Sequence, residues 1–203
     1  LICLIFGTIY IYNSREYVEM ILCQPIDRKS LFLGLYFGNT IPLASGFVIG
    51  MLLPLLISAT FENLVPFLIL TSCGVALTFI FTSVAFAVSI KINDRLKGFG
   101  FVILLWLLLA VVYDGALLFI IYFFSDYPLE NVVLGISIFN PIDLARILFI
   151  LNYDVSALMG YTGALFQKFL GAQIGFIISA VSLIMWCLIP TWFAFRRFSK
   201  KDF

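Results

Sequence analysis

Apolar residues run almost unbroken through this chain, and the interruptions are few enough to mark its elements one by one. Stretches 31–60, 66–90, 98–124 and 171–195 each exceed the roughly 18 apolar residues that indicate a membrane-crossing helix, and they predict four spans. Leu1 to Tyr12 is apolar too, but as a helix it would extend only ~18 Å against a ~30 Å hydrocarbon core. It is expected to be the end of a span whose beginning lies outside this sequence. Residues 13–28 form a polar island before the first complete span. Asn13 and Glu16 have the spacing of a capping box, which predicts a helix starting there. Tyr17, Met20, Ile21 and Cys23 alternate with Arg15, Glu16, Glu19 and Gln24, giving an amphipathic face. Pro25 disfavours the helical conformation at Gln24, and Arg28-Lys29 marks the entry to the next apolar run.

Departures from apolarity inside the spans are the next signal. The 31–60 span carries Gly34 and Gly38, then Gly46 and Gly50, with Pro42 and Pro54 predicting bends. Glycines at that spacing let backbones approach closely, either against a second copy of the chain or within one subunit. Gly171 and Gly175 repeat the spacing at the opening of the last span. Thr71, Ser72, Thr78, Thr82, Ser83 and Ser89 of the 66–90 span are expected to bond their own backbone or neighbouring helices. A short turn with Glu62 precedes Pro66, and residues 91–97 read as a tight basic loop. The 98–124 span holds Asp114, a charge that costs about 2.5–3.5 kcal/mol at the centre of a membrane helix. It is either a functional carboxylate or a hydrogen-bonding clamp between helices. Residues 125–170 are too apolar for a free loop and too interrupted to cross. Asn140-Pro141 predicts a helix opening at Pro141 and running through Asp143 and Arg146, and 155–169 reads as a further short helix at the surface or dipping back in. Arg146 has two candidate partners, Asp114 and the more local Asp143.

Composition closes off whole classes. With 63% hydrophobic and 11% charged residues, the 203-residue chain is no soluble globular domain, which carries about 25% charged residues. The absence of histidine excludes His-based triads and zinc sites, and the four cysteines form no CxxC pair and read as inert apolar residues. No nucleophile–base pair and no Gly-x-x-x-x-Gly-Lys loop occurs, so no catalytic residue is assigned and ATP is not bound in that manner. A net charge of +1 argues against a nucleic-acid partner. Arg15, Arg28, Lys29, Lys91, Arg95, Lys97, Arg196, Arg197, Lys200 and Lys201 lie in the island, the 91–97 loop and the 196–203 tail, leaving Arg146 and Lys168 on the other side. The positive-inside rule then places the island and the carboxyl terminus in the cytoplasm and 125–170 outside. An amphipathic cytoplasmic helix on a membrane unit without its own ATPase implies a separate nucleotide-binding subunit.

Glu19-Met-Ile-Leu-Cys-Gln-Pro-Ile-Asp-Arg28, followed by Gly34 and Gly38, resembles the coupling-helix signature of type-2 ABC transporter permeases. Trp106-Leu-Leu-Leu-Ala-Val-Val-Tyr-Asp114, Phe139-Asn-Pro-Ile-Asp-Leu-Ala-Arg146, Ala157-Leu-Met-Gly-Tyr-Thr-Gly163 and Phe195-Arg-Arg-Phe resemble one branch of it, the NosY permeases of nitrous-oxide-reductase maturation. The resemblance implies an all-α polytopic membrane protein with a type-2 ABC exporter-like transmembrane domain in a bacterial inner membrane. It implies that Tyr17, Glu19, Met20, Ile21, Gln24, Pro25 and Arg28 belong to a coupling helix seated in a groove of a cytoplasmic ABC ATPase (NosF-like). A second copy of the permease and a periplasmic copper-binding β-helical protein (NosD-like) are the other implied partners, the latter resting on Asn140, Pro141, Asp143 and Arg146. No cofactor is implied in this chain; ATP and Mg²⁺ would sit in the partner ATPase. The implied task is copper delivery to nitrous oxide reductase. Soft ligands for a copper path would be Met20, Met51, Met159, Met185 and the cysteines, which do not cluster in the sequence, so mechanical transmission is the favoured mode. The rival readings are an exporter of another substrate, such as a lipid, drug or sulfur compound, and an ATP-independent carrier using Asp114.

Overall fold

The computed structural model describes residues 1–58, 64–123, 135–151 and 161–200, and among these every regular element is helical. In chain order they are α1 (Ile2–Asn13), α2 (Arg15–Leu22), α3 (Arg28–Ser58), α4 (Leu64–Lys91), α5 (Arg95–Leu107), a π-turn (Leu108–Val112), α6 (Tyr113–Phe123), α7 (Pro141–Leu151) and α8 (Tyr161–Lys200). Four helical stretches are long and apolar enough to cross a membrane: Arg28–Pro54, Phe67–Lys91, Arg95–Phe123 and Gly175–Lys200. They coincide with the four spans expected from hydropathy. Of these, the apolar part of Phe67–Lys91 is 61% buried and that of Arg95–Phe123 only 6%.

Several boundaries differ from expectation. No capping box forms at Asn13: that residue ends α1, and α2 starts at Arg15 after Ser14, whose hydroxyl donates backwards to the Tyr10 carbonyl at 2.7 Å. A hydroxyl bonded into the preceding turn is unavailable to cap the next helix. The expected basic loop is shorter than 91–97, because Arg95 and Lys97 already belong to α5. Asp94 is the reason, since its carboxylate accepts the Leu96 backbone N–H at 2.9 Å as an N-cap does. The last helix begins at Tyr161, so 161–169 is its opening rather than a separate short helix, while 152–160 lies outside the described residues. The Glu62 turn and residues 124–134 also lie outside them. Helix α3 continues through Pro42 and Pro54, and α8 through Pro190.

The chain divides into two compact units. The first comprises Leu1–Leu53, Thr78–Trp106 and Cys187–Phe203; the second comprises Pro54–Leu77 and Leu107–Trp186. The core of the first is aromatic. Phe32, 1% exposed, meets Phe86 edge-on at 6.2 Å and lies 5.5 Å from both Phe195 and Phe198. Val18 of α2 is buried in the same cluster and Leu22 packs against it, which fixes that short helix to the bundle by its apolar face. Lipid supplies no hydrophobic drive between helices, so such close ring packing and interhelical hydrogen bonds hold them. One of those bonds is shared three ways: Ser83 Oγ lies 2.8 Å from Tyr36 Oη and 2.7 Å from Thr191 Oγ1, joining α3, α4 and α8. The other hydroxyls behave as expected, with Thr71, Ser72, Thr82 and Ser89 each donating to a carbonyl of their own helix.

Within the second unit, Leu117 is buried against Tyr113, Ile121 and Ile136. Helix α7 opens at Pro141, where the sequence places it. Asn140 caps it, its side-chain oxygen accepting the Ile142 N–H at 3.1 Å.

Candidate functional site

Two constellations stand out, one in each unit. In the first, α2 is the element with the strongest contrast between faces. Val18 is buried, whereas Tyr17 and Met20 are 53% and 65% exposed, and Glu19, Cys23, Gln24 and Pro25 are exposed as well. Ile21 and Arg28 are partly buried. An eight-residue helix that turns a tyrosine and a methionine outward offers an anchor patch for another protein.

What ties α2 to the bundle was not legible in the sequence. The Arg15 guanidinium donates to three backbone carbonyls at the carboxyl end of α4: Asn93 at 2.8 Å, Ser89 at 2.9 Å and Ile92 at 3.0 Å. It also sits 4.5 Å from the centre of the Tyr12 ring, and the Tyr12 hydroxyl donates to the Ile92 carbonyl at 2.9 Å. On the other side of α2, Arg28 donates to the Ser199 carbonyl in the last turn of α8 at 2.9 Å. Carbonyls at a helix end lack intrahelical partners and carry the negative end of the helix dipole, so a cation there is favourable. The first residue of α2 and the first residue of α3 therefore hold the ends of two membrane spans. Sequence spacing gives no hint of it, because Arg15 and Asn93 are brought together only by the fold.

The second constellation surrounds Asp114. The π-turn ends two residues before it, and the Leu109 carbonyl within that turn accepts from the Asn140 side-chain amide at 3.0 Å. π-turns inside α-helices are frequent at functional positions. Asp114 accepts from Arg146 at 3.3 Å, and the same guanidinium pairs with Asp143, so the arginine bridges both candidate partners. The Asp143 side chain is 1% exposed and its second oxygen is buried without a hydrogen bond, whereas Asp114 and Arg146 are 38% and 48% exposed. Burial pushes the Asp143 carboxyl up to about 6 from 3.8, against the pull of Arg146 and with help from the Asp114 charge. The segment leading into α7 is held further by the Tyr113 hydroxyl on the Ile136 carbonyl and by the Trp186 indole N–H on the Ile138 carbonyl at 3.2 Å. Asn140, Pro141, Asp143, Arg146 and Asp114 thus form one place. Tyr113, Trp186 and the π-turn complete it, and nothing in residue spacing announces the last two.

The glycine positions separate by surroundings. Gly34, Gly46 and Gly50 are exposed with open space where a side chain would go, so α3 uses none of them for contact among the described residues. Gly38 lies 3.6 Å from the Tyr10 hydroxyl, measured from the position of an added Cβ. Gly175 is buried on α8, and Gly171 is one turn before it on the same helix. The glycines at which substitution would collide are others: an added Cβ at Gly98 would meet the Tyr12 ring, and one at Gly7 would lie 2.9 Å from the Ala85 Cβ. Among the described residues, no group of three or more His, Cys, Asp or Glu is arranged to hold a metal ion, and the four cysteines are free. Met159, among the soft ligands considered for copper, lies outside the described residues.

A model of the ABC-2 family of transporter proteins matches residues 2–203. Among individual proteins, the chain is similar to a probable ABC transporter permease protein, NosY, of Pseudomonas aeruginosa. The two are 25% identical over 148 residues, 70% of this chain and 54% of the relative. The chain therefore spans about half the length of that relative.

Proposed function

The chain belongs to the ABC-2 family of transporter proteins, and from that membership we propose that its α2 is the helix through which a separate ABC ATPase drives the membrane part. Permease subunits of this family embed in the bilayer and depend on an ATPase made elsewhere. The observation that carries the reading is the mounting of α2: an exposed Tyr17–Met20 patch on a helix whose first residue, Arg15, grips the end of α4, with Arg28 at the start of α3 gripping the end of α8. A push on that patch is delivered directly to the end of α4 through the charge-assisted hydrogen bonds of Arg15, and to the end of α8 through residues 23–27 and Arg28. The bundle then needs two packings of similar energy, each preferred by one nucleotide state of the ATPase.

The finer assignments follow from likeness to NosY. In this reading the protein is a homodimeric inner-membrane permease with α2 and the carboxyl terminus in the cytoplasm, where positive charge concentrates. Its ATPase is NosF-like, and a copper-binding NosD-like protein rests on the Asn140–Arg146 segment in the periplasm. The movement serves copper delivery to nitrous oxide reductase. Mechanical transmission is preferred to a copper channel, because Met20, Met51, Met159, Met185 and the four cysteines do not cluster in the sequence. A carrier working through Asp114 alone is disfavoured by Arg146, which already pairs with that carboxylate.

The test is copurification of the ATPase with the permease after Tyr17→Asp and Met20→Asp. The expected result is loss of the ATPase with the permease still folded. Undiminished binding would remove α2 from the docking role. The genes beside this one decide the cargo: a β-helical copper protein and nitrous oxide reductase support copper delivery, and their absence supports an exporter of another substrate.

A further inference from the structure

The carboxyl-terminal ends of α4 and α8 enclose a groove that docking through α2 does not use. Lys91, Arg196, Arg197 and Lys200 line it, with Ile90 and Phe193 as its apolar floor and a volume of about 480 Å³. All four cations are exposed. Among the described residues the ion pairs are Lys97–Asp94, Arg146–Asp114 and Arg146–Asp143, so none of the four is neutralised by a carboxylate there. Four like charges around one concavity repel one another, and an anion seated among them relieves that repulsion.

The chemistry of the anion follows from where the groove leads. Lys91 ends one candidate span, and Lys200 ends another, so the cations stand at the depth of lipid headgroups. From the groove, α8 presents Phe193, Trp192, Ile189 and Leu188 outward, between 48% and 62% exposed, as a continuous apolar strip. Arg196 lies 5.2 Å from the centre of the Trp192 ring, so the last cation of the groove and the first large aromatic of the strip are in contact. A ligand that fills both halves carries a negative head and a hydrocarbon tail. A free phosphate would use only the head half. An acidic protein segment would leave the strip, part of a 26-residue apolar span, to lipid in any case.

We propose that this groove is a binding site for one anionic phospholipid, its phosphate among Lys91, Arg196, Arg197 and Lys200 and an acyl chain along Trp192 and Leu188. Juxtamembrane basic clusters attract anionic lipid, each cation near the surface strengthening binding by about fivefold. Because Arg28 bonds to Ser199, a lipid bound here touches the same turn of α8 that the start of α3 holds. The site goes beyond the docking role proposed above and stands whether or not that role does.

The experiment uses the complete transporter, delipidated in detergent, with phosphatidylglycerol and phosphatidylcholine of matched acyl chains as probes and native mass spectrometry as readout. The expected result is that R196Q/R197Q retains phosphatidylglycerol about thirtyfold less well than the wild type, with phosphatidylcholine unchanged, while R196K/R197K retains both. K91Q/K200Q gives the same loss from the other side of the groove, and serves where the arginine variant does not fold. Equal retention of phosphatidylglycerol by both glutamine variants overturns the proposal. So does displacement of the lipid by millimolar inorganic phosphate, which marks a free-phosphate site. Loss of the ATPase from the variants with lipid retention intact also overturns it, and marks a protein contact instead.

Discussion

Arg15 holds three carbonyls with one planar guanidinium, an arrangement a lysine does not reproduce. Arg15→Gln is expected to lower stability by about 1.5–3 kcal/mol, the range for hydrogen bonds to a charged group. Arg15→Lys is expected to recover less than half of that loss. Thermal unfolding of the three proteins checks it, and full recovery by lysine would reduce the contact to charge alone. Asp143 makes a pH prediction. Its folded carboxyl titrates near 6, above the 3.8 of an unperturbed aspartate, so the folded protein keeps a proton that the unfolded chain has released. The resulting stabilisation is complete below about pH 4 and is lost as pH rises through about 6. Arg146 on the same helix and Asp114 on α6 are the charges facing it. Asp143→Asn is expected to flatten the stability profile across that window; an unchanged profile would assign the pH dependence elsewhere. At this scale the sequence pointed to Asp114, Asp143 and Arg146 because charges are conspicuous in an apolar chain. It was silent on Arg15 and Trp186, whose partners are backbone carbonyls and leave no mark in residue identity.

Element by element, apolar length located all four spans, since a bilayer demands about 20 apolar residues whatever the fold. Amphipathic alternation located α2, and Asn140-Pro141 located the start of α7. The errors fell at boundaries. A capping box was expected at Asn13, but Ser14 bonds back to Tyr10 and α1 runs to Asn13 without a break in helical sense. The π-turn at Leu108–Val112 has no sequence signature at all; the Leu109 carbonyl within it accepts from Asn140. Helix contact also depends on a glycine that no repeat spacing singled out. Gly98 is buried beneath the Tyr12 ring where α5 passes α1. Gly98→Ala is expected to cost about 1–3 kcal/mol by forcing that ring aside, and with it the Tyr12–Ile92 hydrogen bond. Gly100→Ala, at an open position on the same helix, is expected to be neutral or slightly stabilising. Thermal stability of the two variants side by side decides whether close approach or helix propensity governs α5.

For the whole molecule, composition and apolar length were enough to recognise a polytopic membrane protein, because solvent and bilayer constrain every residue at once, whereas the permease family was legible only in the resemblance of particular motifs. Assembly was not legible, since a glycine stripe looks the same whether it packs inside a subunit or between two. Gly34, Gly46 and Gly50 face open space, which favours the surface between copies. For the homodimer proposed above, a contact through this stripe predicts that Gly46→Leu shifts the purified permease toward monomer in mass photometry, and an unchanged dimer would place the contact on another face. The central claim is that α2 transmits ATPase motion to the rest of the permease. Phe139, 71% exposed, precedes the capping Asn140 and serves as a reporter. The decisive measurement is the fluorescence of an environment-sensitive label at Phe139→Cys, made in a background without the native cysteines, in the complete transporter with and without Mg-ATP. A nucleotide-dependent change that disappears when Met20→Asp is added is the predicted result; a change that survives Met20→Asp undiminished, or none in the unmodified transporter, would contradict it.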